Sequence, residues 1–127
     1  MAETIKVGMV SLGCPKNQCD AELMLAKIAK AGFKIVNEAG LADVVIINTC
    51  GFIQSAKEEA IEEIMEAISR KNDGINKKII VTGCLAERYQ KQMDEEFPEI
   101  DAVVGIAKND DIVEIINSVM LDRRVVT

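Results

Sequence analysis

The chain of 127 residues has no histidine and no tryptophan, and aromatic residues make up only 3% of it. Without histidine it lacks the usual general base near neutral pH and the usual zinc ligand, so any metal site must be built from sulfur and carboxylate. No hydrophobic run is long enough to span a bilayer, and Met1 to Lys6 lacks the basic-then-apolar order of a secretory signal, so a cytoplasmic protein with no membrane partner is expected. Basic residues are in the minority. The net charge of −6 is a poor match to a nucleic-acid backbone and argues against direct nucleic-acid binding, whereas a basic partner is easily accommodated. Familiar motifs are missing as well: SLGCPKNQ does not supply a G-x-G-x-x-G turn, and there is no C-x-x-C. A cysteine-dependent phosphatase loop needs an arginine six positions after its nucleophile, but that position after Cys14 is Asp20, which would repel phosphate.

What is present is an ample aliphatic core, 49% hydrophobic residues, in a chain the size of one ordinary domain. Four cysteines could form two disulfides, but a reducing compartment and an adequate core favour metal or redox chemistry. Three of the four follow β-branched apolar runs: VGMVSLG leads to Cys14, VVIINT to Cys50 and IIVTG to Cys84. If the runs are parallel strands of one sheet, all three thiols emerge at its carboxyl edge, where open α/β sheets bind ligands. Three converging thiolates suit a soft metal or an iron-sulfur cluster.

The rest of the chain supports that arrangement. Strands are predicted at Ile5–Leu12, Phe33–Val36, Val44–Ile47, Ile79–Thr82 and Ala102–Val104. Between them, helical patterns run from Asn17 to Ala31, with Leu25, Ile28 and Ala29 inward and Gly32 as C-cap. A second follows a capping box of Ser55 and Glu58, with Ala56, Ala60, Ile61, Ile64 and Ile68 inward. A third carries Leu85, Tyr89, Met93 and Phe97 and stops at Pro98, and a fourth is capped by Asn109 and carries Ile112, Ile115, Ile116 and Val119. Lys71 to Lys78 reads as a loop, and Asn37 to Asp43 holds at most one helical turn, short for a parallel crossover. The alternation specifies an α/β fold: a flavodoxin-like open parallel sheet of about five strands in the order 2-1-3-4-5, with right-handed crossovers and helices on both faces. Strands one, three and four are then neighbours, and Cys14 and Cys50 face each other across the topological switch point.

The cysteines lie 36 and 34 residues apart, too far for a zinc knuckle or a ferredoxin motif, so the fold itself must assemble the site. Nearby helix N-termini favour the thiolate form. Cys19 has no strand before it and reads as a core or surface residue. Gly13, Gly51 and Gly83 are turn residues, or allow close backbone approach to a cluster. Asn48 and Thr49 either cap the turn or orient the Cys50 thiolate, and Lys16 and Asn17 are loop residues or support the ligands. The six methionines read as core filler, and Lys57 to Glu63 as a solvated helix face.

SLGCPKN at Ser11 to Asn17, with Asp20 and Glu22, NTCGFI at Asn48 to Ile53 and TGC at Thr82 to Cys84 together resemble the N-terminal domain of the radical S-adenosylmethionine methylthiotransferases. Pro15 and Lys16 resemble the ribosomal-protein branch more than the tRNA branch, although the tRNA branch and a non-catalytic flavodoxin-like metal-binding module remain alternatives. The resemblance implies that Cys14, Cys50 and Cys84 bind an auxiliary 4Fe-4S cluster with one open iron. That iron carries the sulfur, as sulfide, methylsulfide or polysulfide, for insertion into an unactivated C–H bond. The implied substrate is a small-subunit ribosomal protein, modified at the β-carbon of an aspartate, and such a basic partner suits an acidic domain. The family's C-x-x-x-C-x-x-C motif, for a second 4Fe-4S cluster and S-adenosylmethionine, is absent because no cysteine follows Cys84. Residues 1–121 are therefore expected to form the methylthiotransferase N-terminal domain, inactive alone, and 122–127 to begin a linker to an absent radical domain. Cys19 stands where the family more often has an aliphatic residue.

Overall fold

A computed structural model describes residues 5–11, 15–36, 39–49, 54–83, 88–105, 111–121, 123 and 125–126. The apolar runs before the cysteines become the centre of a parallel sheet: Lys6–Ser11 (β1), Val44–Thr49 (β3) and Lys78–Gly83 (β4). Lys34–Val36 (β2) flanks β1, Ala102–Val103 (β5) flanks β4, and the order is β2-β1-β3-β4-β5-β6. Every residue of β3 is buried, because helices cover both faces; a strand buried on both sides reads as a continuous apolar run and not as an alternation.

Successive residues of the central strands enter opposite cores. Val45, Ile47, Ile79 and Val81 pack with Ala60, Ile64 and Ala67 of Gln54–Asn72 (α2) and Met93 of Gln90–Glu96 (α3). Val44, Ile46 and Ile80 pack on the other side with Met24 and Ile28 of Pro15–Lys30 (α1) and with Ile112, Ile115, Ile116 and Val119 of Ile112–Met120 (α4). The expected stripe of α4 is buried in full. That of α1 is turned by about one residue: Met24 and Ile28 are buried while Ala29 is exposed, because the large Met24 lies one turn before Ile28 and fills the core better than alanine. In α2, Ala67 is buried and Ile61 and Ile68 are half-buried. Met65, read as core filler, is 59% exposed.

Local chemistry sets the boundaries. Helix α1 starts at Pro15, two residues earlier than Asn17, since proline at the first helical position has φ already fixed and no N–H to leave unpaired. It ends as expected at Gly32, where φ is +101° and the Phe33 and Gly32 N–H groups donate to the Ile28 and Ala29 carbonyls. Helix α2 begins at Gln54, so Ser55 lies inside it and not at its cap, and it runs through Lys71 to Asn72. In and beside helix α3, Tyr89 and Phe97 are half-buried around Met93; Leu85 lies outside the described residues, as does the expected cap Asn109. The N-cap of α4 is Asp111, without a side-chain hydrogen bond.

The β2–β3 link, among its described residues, holds one 3-10 turn, Ala39–Leu41, against β1, in keeping with the one turn at most that the sequence allowed. The clearest departure is a sixth strand, Val125–Val126 (β6), parallel to β5 within the segment expected to be linker. Its Val125 N–H donates to the Asp101 carbonyl at 3.0 Å. The order expected for the first five strands is observed.

The amino edge of the sheet is closed by charged groups. Asp101, just before β5, accepts from Lys71 Nζ at 2.9 Å and from the Ile79 N–H at 2.8 Å, with Lys78 Nζ at 3.9 Å. Asp43, just before β3, accepts from the Lys6 N–H at 3.1 Å. Buried Asn76 donates to the Ala42 carbonyl at 2.8 Å and accepts from Arg70 Nε at 2.7 Å.

Candidate functional site

At the opposite edge the three cysteine-bearing strands end level. Ser11 of β1 pairs in register with Asn48 of β3, Asn48 with Thr82 of β4, and Thr49 with Gly83. Cys50 and Cys84 are the next residues after the paired Thr49 and Gly83, and Cys14 stands between β1 and the first residue of α1. Cys14, Cys50, Cys84, Gly13 and Gly51 themselves lie outside the described residues. Asn17, with Lys16, falls in the first turn of α1, and Cys19 lies on the same helix. Because β1 leads into α1 and β3 into α2, the positive ends of two long helices follow Cys14 and Cys50 in the chain.

The strand ends are unusual for a core because they are polar. Asn48, Thr49 and Thr82 are buried, and Asn76 is the other buried polar residue among those described. Buried polar groups need partners, and here the Thr49 hydroxyl donates to the Thr82 carbonyl at 2.7 Å, tying the last residue of β3 to the last but one of β4. A purely structural role as strand-end staples accounts for that bond, but not for the backbone beside it.

Gly83 has φ +103°, a left-handed conformation that L side chains rarely adopt. A Cβ there would overlap the Thr49 carbonyl oxygen and lie 2.7 Å from the Thr49 nitrogen and 2.9 Å from Asn48 Oδ1. Sequence reasoning offered a turn or close approach to a cluster for this glycine; the approach observed is to the neighbouring strand. Adjacent strands sit too close for the sequence alone to reveal which backbone a glycine makes room for.

The rim of this edge continues along α3, where Gln90 Nε2 donates to the carbonyl of Val103, at the end of β5, at 3.1 Å. Arg88 stands over the Tyr89 ring, 5.8 Å from its centre, and these two with Lys91, Gln92 and Glu95 line an open hollow of about 400 Å³. The four-residue spacing of Tyr89 from Met93 marks it in the sequence only as part of a helix face, so the hollow carries no sequence signal of its own.

Away from this edge, the Glu63 carboxyl on α2 is raised above the ordinary carboxylate value, first by partial burial and then by repulsion from Glu66, with Arg70 opposing. Among the described residues no group of three His, Cys, Asp or Glu side chains is placed to hold a metal. None of their helices is long and apolar enough to cross a membrane.

A sequence profile described as an uncharacterized protein family, UPF0004, matches residues 6–105, a span that contains β1 to β5, α1 to α3 and all three cysteines. The chain belongs to this family. Among proteins similar to it, the ribosomal protein uS12 methylthiotransferase RimO of Desulforamulus reducens is 50% identical over 111 residues, which is 87% of this chain and 25% of that protein. The RimO proteins of Natranaerobius thermophilus, 46% identical over 116 residues, and of Anaeromyxobacter sp. strain K, 42% over 121, cover 91% and 95% of this chain and 26% of their own length. This UPF0004 chain therefore spans about a quarter of the length of the curated relatives it matches. The family resemblance read from the three cysteine motifs holds, and α4 and β6 extend beyond the matched span.

Proposed function

We propose that this chain is the cluster-binding N-terminal domain of a ribosomal-protein methylthiotransferase, holding an auxiliary 4Fe-4S cluster through Cys14, Cys50 and Cys84. The observation that carries the reading is the register of Ser11, Asn48 and Thr82 across three adjacent strands, each followed within three residues by one of those cysteines. The donor set fits the group. Three thiolates are soft ligands for iron-sulfur chemistry, histidine is absent, and three ligands leave one iron with an open position. When bound, the cluster supplies sulfur at that open iron for methylthio transfer.

The chain's own residues have simpler tasks. Cys14, Cys50 and Cys84 bind as thiolates, which the N-termini of α1 and α2 favour electrostatically. Asn17, Asn48 and Thr49, with Gly13, Gly51 and Gly83, support those ligands. The names of the relatives favour uS12 as substrate, and a basic ribosomal protein complements a chain of net charge −6. S-adenosylmethionine, its 4Fe-4S cluster and the radical step belong to the remainder of such a protein, so this chain alone is inactive and works in the cytoplasm beside its radical domain.

Anaerobic reconstitution with iron and sulfide, followed by Mössbauer spectroscopy, tests the reading. The chain should take up one cluster, Cys14→Ala, Cys50→Ala and Cys84→Ala should each abolish stoichiometric binding, and Cys19→Ala should retain it. Full retention of the cluster in the three ligand variants, or binding of zinc in place of iron and sulfide, would instead favour a non-catalytic metal-binding module.

A further inference from the structure

We propose that the hollow beside α3 binds a small molecule that carries an oxyanion, carboxylate or phosphate, and a hydrogen-bond donor on the same skeleton. Arg88, Tyr89, Lys91, Gln92 and Glu95 line it, and its volume of about 400 Å³ is that of a small-ligand site. None of these residues takes part in the cluster chemistry proposed above, so the two readings stand or fall separately. Arg88 and Lys91 are exposed and, among the described residues, neither is ion-paired. They stay unpaired in a chain with 21 acidic residues against 15 basic ones. Lys91 does so with Glu95 only four residues on, at the spacing where helix neighbours meet.

Arg88 is also held in place. It stands over the Tyr89 ring, 5.8 Å from the centre, and that ring is half-buried against the core around Met93. Gln90 fastens the same turn to the sheet through the Val103 carbonyl at 3.1 Å. A planar guanidinium restrained on an anchored ring suits two-point recognition of a carboxylate or phosphate, with Lys91 adding a second charge. A merely solvated helix face accounts for exposed charges, but not for that restraint. The order of charge points the same way. Helices α1 and α2 end in bases, Lys27 and Lys30, Arg70 and Lys71, which match the negative end of a helix. Around α3 the order is reversed, with Arg88 and Lys91 at its start and Asp94, Glu95 and Glu96 at its end, an arrangement that gains nothing from the dipole. Seven residues are too few for the helix end itself to hold an anion, so the side chains must do so. The other side of the hollow accepts. Gln92 Nε2 donates to Glu96 Oε1 at 3.2 Å, which leaves the Gln92 side-chain oxygen, with the Glu95 carboxylate, to take a donor from the ligand. Glu95 repels a ligand that is anionic throughout.

Titration of the reduced, metal-free chain in Tris chloride at fixed ionic strength, followed by nitrogen-15 NMR, tests the site. Phosphoethanolamine and 4-aminobutyrate are the probes that carry a donor; inorganic phosphate and butyrate are their counterparts without one. At least one donor-bearing probe should give saturable shifts centred on the backbone amides of residues 88–95, and should bind about threefold or more tighter than its counterpart. Whether the phosphate or the carboxylate pair binds better identifies the source of the oxyanion. Arg88→Ala should weaken binding about tenfold, and Arg88→Lys about threefold, since lysine keeps the charge but loses the fork. Glu95→Gln should bring the two members of each pair level. All three side chains replaced are exposed, so thermal unfolding and the remaining resonances should not change. Iron and sulfide uptake by Arg88→Ala should equal the parent's. Absence of saturable binding by all four probes, shifts spread equally over the other basic residues, or equal affinity in the parent and Arg88→Ala would overturn the site. Equal affinity for the two members of both pairs in the parent would overturn the requirement for a donor.

Discussion

At the amino edge of the sheet the strands are closed by charge, with Asp101 taking Lys71 Nζ at 2.9 Å and the Ile79 N–H at 2.8 Å. At the carboxyl edge Thr49 and Thr82 share a neutral hydrogen bond, and Gly83 leaves no room for a side chain. The described strand ends there, Ser11, Asn48, Thr49, Thr82 and Gly83, carry no charge. The difference teaches how one sheet can separate stability from chemistry. Partly exposed ions can anchor the amino edge, because water screens small errors in their placement. Neutral groups suit the edge from which the chain runs to three cysteines if, as proposed, those bind metal, because a fixed ion beside such a thiolate would compete for it or shift its protonation.

The strongest way to break this comparison is at Asp101. Asp101→Ala removes the acceptor of the Ile79 N–H and the partner of Lys71 together, and should lower stability by about 2–3 kcal/mol in urea unfolding. Iron and sulfide uptake at temperatures where the variant is folded should match the parent. Loss of the cluster on the scale of a cysteine variant would mean that the two edges are not separate.

A smaller loss is expected at Asn76, which links the loop before β4 to the Ala42 carbonyl and to Arg70. Asn76→Ala should cost about 1–2 kcal/mol by leaving that buried carbonyl without its donor, again with cluster uptake unchanged. Part of the cost comes from Arg70, whose Nη2 is already buried without a hydrogen-bond partner among the described residues. Thermal unfolding with calorimetry measures it, and a loss near zero would show that the amino edge is held by Asp101 and Asp43 alone.

The smallest effect sharpens the electrostatic side. The folded chain holds the Glu63 proton to higher pH than the unfolded chain does, so the native state binds more protons and stability falls as pH rises from the ordinary carboxylate range through the raised value. Glu63→Gln should therefore gain stability toward neutral pH and lose that gain in acid. Because the residue is only half-buried, the gain is no more than about 1 °C in Tm. A variant less stable than the parent at neutral pH would assign Glu63 to an ion pair with Arg70 instead.

Sequence by itself determined the layers, the order of the first five strands and the common level of the three cysteine-bearing strand ends, because β-branched runs alternating with amphipathic stretches admit few other packings. It also determined the α4 face and the Gly32 cap, since Ile112, Ile115, Ile116 and Val119 share one helical stripe and glycine adopts positive φ without strain. Tertiary structure decided the rest. The rotation of α1 toward Met24 depends on the shape of the core it meets, and Val125–Val126 becomes a strand only because β5 offers a free edge beside it. The partner of Gly83 was hidden for the same reason: Thr49 is 34 residues away in the chain, and only the register of β3 with β4 sets its backbone where a Cβ would have been.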